Sequence, residues 1–238
     1  MRVAGWFVAP VRIGAVPLVF RLSAEFVGTG ALVAAVVGSG LMGESLTSDS
    51  GVVLVINQLA TVLVLAVLVA LLLPLSGAHV NPAVTLVMAL TRRMSTGAAL
   101  GYVTVQLVGG VLGTVIAHAM FDRTLLELSS NNRIGTGTFV GEVVATAGLL
   151  AVILTALYQE KTHWLPRLVP AWIGTAFFFT SSTSFANPAV TLGRVFTDSF
   201  TGIAPESLVG FVGAQLVGAL LALVVVLPFQ RAFTKESQ

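Results

Sequence analysis

The chain has 238 residues, of which 56% are hydrophobic and 9% charged, where soluble domains carry roughly a quarter charged residues. That balance excludes an ordinary soluble domain and describes an integral membrane protein. The formal charge of +2 supplies no basic face for nucleic acid, and the absence of cysteine excludes disulfides and thiolate metal sites.

In chain order, residues 1–20 are apolar but broken by Arg2, Pro10, Arg12 and Pro17, without a signal-peptide core followed by a small-residue cleavage site. They are expected to form a cytoplasmic arm. A first span is predicted over residues 22–41, because about 20 apolar residues cross the hydrocarbon; its one charge is Glu25. A polar turn with Glu44 and Asp49 leads to a second span over 52–75. Next comes Asn81-Pro82-Ala83-Val84-Thr85-Leu86, in an apolar run that ends at Arg92 and Arg93. An Asn cap followed by Pro marks a helix start. A helix this short cannot cross the bilayer, so it must re-enter from the side it came from. A third span is predicted over 98–120 and contains Gln106.

Polar residues 121–137 divide the chain, and the order then repeats. A span over 138–157 holds a single acid, Glu142; one over 166–180 leads to Asn187-Pro188-Ala189-Val190-Thr191-Leu192; and a span over 208–227 contains Gln215. Residues 101–110 align without a gap on 210–219. Three crossings in each half invert the second relative to the first. The fold expected is an all-α membrane protein of six transmembrane helices and two re-entrant half-helices, built as an inverted repeat. With both termini cytoplasmic, nine of the 12 Lys and Arg residues fall inside (Arg2, Arg12, Arg21, Arg92, Arg93, Lys161, Arg167, Arg231 and Lys235) and Arg123, Arg133 and Arg194 outside. That asymmetry sets the orientation.

Half-helices entering from opposite faces would meet near the midplane by their positive N-terminal ends, with Asn81 and Asn187 offering amide donors to one small space. Irregular backbone at this depth is tolerated where it lines a cavity. The carbonyls of Gly77, Ala78 and His79, and of Thr183, Ser184 and Phe185, would then form an acceptor ladder. Donors at the middle and acceptors along the path describe a channel for small neutral hydroxylated solutes, opposed to cations. Glu25 and Glu142 occupy equivalent places; either they accept hydrogen bonds from the re-entrant loops, the favoured reading, or they relay protons. His79 is positioned either to line the inner vestibule or to pack, whereas His118 and His163 fall near helix ends, where solvation is expected. No nucleophile with a base beside it, and no metal-ligand spacing, points to an enzyme or a cofactor.

These residues resemble the major intrinsic protein family, the aquaporins and aquaglyceroporins. The matching features are Ala24-Glu25-Phe26-Val27-Gly28-Thr29, Ser76 through Thr85, Gly141-Glu142 and Asn187-Pro188-Ala189. The resemblance covers residues 21–228, with repeats at about 21–120 and 138–228, and leaves 229–238 as a cytoplasmic tail. It implies a multi-pass plasma-membrane protein, one pore per subunit and a homotetramer. It also implies an outer constriction of four residues, which fall at Thr61, Thr175, Ser184 and Val190. The family places Arg where this chain has Val190; Arg194 follows a helical turn later and need not substitute. The constriction is therefore expected to be wide and without a fixed cation. The loop from Asn187 to Pro205 is similar to that of bacterial channels associated with metalloid resistance. Glycerol-like polyols, arsenite and other metalloid acids, and water are the implied solutes. A water-selective aquaporin is the nearer alternative. A proton-coupled transporter using Glu25 and Glu142, or a membrane-junction protein without transport, is the more distant one.

Overall fold

The computed structural model describes residues 16–235. Residues 1–15 of the expected arm, with Arg2 and Arg12, and 236–238 of the expected tail lie outside the described residues. Helix α1 spans Leu18–Leu46 and α2 spans Ser50–Leu72. The first runs five residues beyond the end expected at Leu41, and the carboxylate of Glu44 in this extra turn accepts the amide of Phe200 at 2.9 Å. Asp49 caps α2 by accepting from Gly51 and Val52. This helix stops three residues before the expected end at Leu75; Leu73 still has helical backbone as its C-cap, and the chain then turns, the amides of Leu75 and Ser76 both reaching the Leu72 carbonyl.

The half-helix α3 (Pro82–Leu90) is followed by α4 (Thr96–Met120), whose Ser95 cap accepts from the amide of Ala98. The second half contains α5 (Thr136–Tyr158), a 3-10 turn at Thr162–Trp164, α6 (Leu165–Phe179), the half-helix α7 (Pro188–Arg194) and α8 (Pro205–Lys235). Among the described residues, α1, α2, α4, α5 and α8 are long and apolar enough to cross a membrane. The 15-residue α6 is shorter, and the 3-10 turn ahead of it extends this fifth crossing in chain order. Both ends of the bundle are recognisable from contacts. Arg21 meets Tyr102, and Arg93 lies over Tyr158, at one end. Glu44 meets Phe200, and Asp198 meets Ser130, at the other.

Within the halves α1 packs on α4 and α5 on α8, while α2 against α6 joins them. Each half-helix also crosses to the third long helix of the opposite half, α7 to α4 and α3 to α8. Glycine permits the first of these crossings. A Cβ on Gly110 would lie 2.6 Å from the carbonyl oxygen of Ala189, and one on Gly193 would lie 2.7 Å from that of Gly110. Gly110→Val is expected to push α7 off α4 and to destabilise the fold by about 1–3 kcal/mol, the usual cost of overpacking. Thermal unfolding in detergent measures it; an unchanged midpoint would mean that these backbones do not approach so closely.

Candidate functional site

The site is assembled from two loops of irregular backbone, each leading into a half-helix. Gly77, Ala78 and Val80 in the first, and Thr183, Ser184 and Ala186 in the second, have positive φ. Such backbone costs energy at non-glycine residues and must be held in place. Two fully buried carboxylates hold it. Glu25 accepts from Ser76 Oγ at 2.6 Å, from the amides of His79 and Val80 at 3.0 and 2.6 Å, and from Gln106 Nε2 at 2.7 Å. In the other half Glu142 accepts from the amides of Phe185 and Ala186 at 2.8 and 2.9 Å and from Gln215 Nε2 at 2.6 Å. The glutamines also reach hydroxyls on the half-helices, Gln106 to Thr85 and Gln215 to Thr191. Each half thus ties loop, half-helix and two long helices to one buried acid.

Among the described residues, no main-chain amide donates to the carbonyls of Gly77, Ala78, His79, Thr183, Ser184 or Phe185. Asn81 and Asn187 cap α3 and α7 by accepting from Ala83 and Ala189. Their side-chain amides, expected to offer donors to one small space, also reach across to the opposite loop. Asn81 Nδ2 donates to the carbonyl of Ala186, and Asn187 Nδ2 donates to that of Val80, each at 2.8 Å. One hydrogen of each amide is therefore committed to the opposite loop, and the second remains at a cavity that both residues line.

That cavity has a volume of about 60 Å3. Thr61, Ser184 and Val190 line it, together with Asn81, Asn187 and His79, as expected positions go. Thr175 does not. Its hydroxyl bonds the Ala171 carbonyl, and it lies in a surface groove with Gln58 and Pro170. The residues of α6 that face the cavity are Val169, Ile173 and Phe177, four apart as one helix face requires. A position two residues from both Ile173 and Phe177 is turned about 200° away at about 100° per residue. On this stretch of α6 it is thus Phe177, and not Thr175, that faces the cavity. The same stride from Thr61 picks out Leu65 and Val69 on α2.

Arg194 is the larger correction. Expected in an outer loop, it is 2% exposed and lines the cavity. Helical side chains lean toward the N-terminus, so a residue one turn after Val190 can reach back to that level. Its Nε donates to the Thr201 carbonyl, and its guanidinium lies 3.4 Å from the centre of the Phe185 ring. Arg133 lies 5.3 Å from the same ring and donates to the carbonyls of Gly202 and Phe200. The sequence signal was an arginine at membrane depth, a functional candidate by default.

His118 is also corrected, from solvated to fully buried. Its Nδ1 meets the Thr124 carbonyl and must donate, and its Nε2 is paired with Thr197 Oγ1 at 2.8 Å. Ser199 continues the chain of hydroxyls to Thr201 at 3.0 and 3.1 Å, which fixes the segment holding Arg194. At the rim the amide and then the hydroxyl of Ser130 hold the exposed Asp198 carboxyl below its ordinary range. His79 lines the cavity and a larger vestibule, with Nδ1 3.1 Å from Thr85 Oγ1.

Two inverted halves, with half-helices tied to each other end to end around a cavity, define a polytopic membrane channel. The sequence comparisons agree. The family model described as major intrinsic protein matches residues 15–186. Aquaglyceroporin AqpS of Rhizobium meliloti (strain 1021) is 49% identical over 207 residues, covering 86% of this chain and 88% of that protein. Aquaporin C of Dictyostelium discoideum is 29% identical over 194 residues, covering 76% and 70%. The X-ray structure of the aquaglyceroporin from Plasmodium falciparum superposes with a TM-score of 0.67 at 22% identity, covering 91% of this chain and all of that one. The chain belongs to the major intrinsic protein family, whose members are transporters and not enzymes.

Proposed function

We propose that this protein is a passive channel for small neutral hydroxylated solutes, glycerol-like polyols first, with neutral metalloid acids such as arsenious acid and water, and that it excludes ions and protons. The carrying observation is the two-sided cavity. Arg194, Ser184, Thr61 and the two Asn amides supply polar groups, and Ile173, Phe177, Val190 and Leu65 supply an apolar wall. Ser184 Oγ is buried without a hydrogen-bond partner among the described residues. A polyol matches such a lining by turning its hydroxyls to one side and its C–H groups to the other. The constriction in this reading is Thr61, Phe177, Ser184 and Val190, with Arg194, rooted one turn after Val190, as its fixed cation. The carbonyls of Gly77, Ala78, His79, Thr183, Ser184 and Phe185 serve as acceptors along the path. Cations are opposed by Arg194 and by the N-terminal ends of α3 and α7.

The channel unit in this reading runs from the start of α1 to the end of α8, so residues 18–20 of the expected arm and 229–235 of the expected tail belong to helices. The protein sits in the plasma membrane as a homotetramer with both termini cytoplasmic. The name of the relative AqpS supports the glycerol-permeable class. Stopped-flow swelling of proteoliposomes tests the function: glycerol and arsenite should enter at rates linear in their gradients and indifferent to proton ionophores. Water flux without glycerol or arsenite flux would overturn the solute class. Saturable, proton-driven accumulation would favour a transporter instead. The bonds already made by Glu25 and Glu142 support a scaffold role over a titrating one.

A further inference from the structure

A second cavity of about 600 Å3 opens at the His79 end of the path. Its walls bring Arg21, Arg93 and His163 to one space, with the hydroxyls of Ser95 and Thr162, and no Asp or Glu lies among the lining residues described. Both guanidiniums are positioned by aromatic rings. Arg21 lies 5.4 Å from the centre of the Tyr102 ring and donates from Nε to its hydroxyl at 2.9 Å, while Arg93 lies 5.2 Å from the centre of the Tyr158 ring. Such cation–π contacts restrain each guanidinium and leave its terminal donors for a planar or tetrahedral oxyanion.

An excess of basic residues at one end of a membrane protein is expected on topological grounds alone, but not their convergence. Arg92, Lys161 and Arg167 are near in sequence and line no part of this cavity. The acid nearest Arg21 on α1, Glu25, turns its oxygens to Ser76, Gln106 and the loop amides. The one ion pair among the described residues, Arg123–Glu127, is at the opposite end. We propose that this vestibule binds a phosphate-like oxyanion between Arg21, Arg93 and His163, and that the bound anion closes the path to neutral solutes. The anion is a plug and not a permeant. Beyond it stands the narrow cavity of about 60 Å3 with a largely apolar wall, where stripping a charge of water is prohibitive. The ligand is either free inorganic phosphate or the phosphate of an anionic lipid headgroup at the rim.

The block rests on the channel reading; the binding does not, so both are measured. Calorimetry of inorganic phosphate against the full-length protein in neutral detergent reads binding. Glycerol and water swelling rates of phosphatidylcholine proteoliposomes, with phosphate on both faces and chloride at equal ionic strength as control, read closure. Phosphate should bind saturably and lower flux about threefold or more, as charge-assisted contacts to two forks allow. The double variant Arg93→Gln, His163→Gln should lose both effects and keep the phosphate-free flux. Slowing in phosphatidylglycerol vesicles without phosphate, absent in the variant, assigns the ligand to the lipid. Absence of phosphate binding together with absence of any lipid effect would overturn the proposal, as would equal responses in wild type and variant. Binding without slowing would overturn the closure and leave the site. Failure of glycerol to enter in phosphate-free buffer would count against the solute class alone.

Discussion

Glu142→Leu is expected to abolish flux and to destabilise the protein by several kcal/mol. The amides of Phe185 and Ala186 and the side chain of Gln215 would lose their acceptor together, and each buried donor left unpaired costs about 1–3 kcal/mol. The backbone they hold has positive φ at Thr183, Ser184 and Ala186, so the loop would relax toward ordinary conformations and carry Asn187 with it. Glu142→Gln keeps one acceptor oxygen and should cost about one such donor. Thermal unfolding in detergent and proteoliposome swelling distinguish the two. Equal losses for Leu and Gln would indicate that charge, and not acceptor capacity, is what the site requires. Unchanged stability in both would remove the carboxylate from the scaffold.

The second large effect is on selectivity. Arg194→Val should raise the flux of polyols bulkier than glycerol several-fold relative to water, because the guanidinium over Phe185 occupies the polar side of the cavity and is the fixed cation there. Arg194→Lys keeps a charge but not the flat stack on the ring, and should fall between. Val190→Arg places a second guanidinium a turn earlier. It is expected to reduce glycerol flux roughly tenfold more than water flux through the narrowed opening. Solute-resolved swelling checks all three. If Val190→Arg reduced water and glycerol equally, the constriction would lie elsewhere; if Arg194→Val left the ratio of polyol to water unchanged, Arg194 would be a structural tie only.

Much of this was legible in the sequence because it is local. The Asn-Pro pairs fix where α3 and α7 begin, the breaks at charged and polar turns bound the spans, and the equivalent positions of Glu25 and Glu142 follow from the repeat. Thr175 and Phe177 show where legibility ends. Counting back from Asn187 reaches Thr175 only if the loop between α6 and α7 has the family's length, and the helix phase, which places Phe177 inside, is a property of packing. Arg194 required knowing how far a long side chain reaches along its own half-helix. His118 was misjudged because its partners, Thr124 and Thr197, come from a turn and a loop with no regular spacing.

The crossed amides of Asn81 and Asn187 bear on how the chain is made. Their partners, Ala186 and Val80, lie 105 and 107 residues away, and contacts so distant in sequence form late. The first half emerges with its own spans and half-helix, yet the Val80 carbonyl waits at membrane depth until Asn187 arrives. A nascent chain stopped before α7 would hold polar backbone where lipid offers no partner. The Val80 and Ala186 carbonyls therefore gain these partners only once both halves are in place.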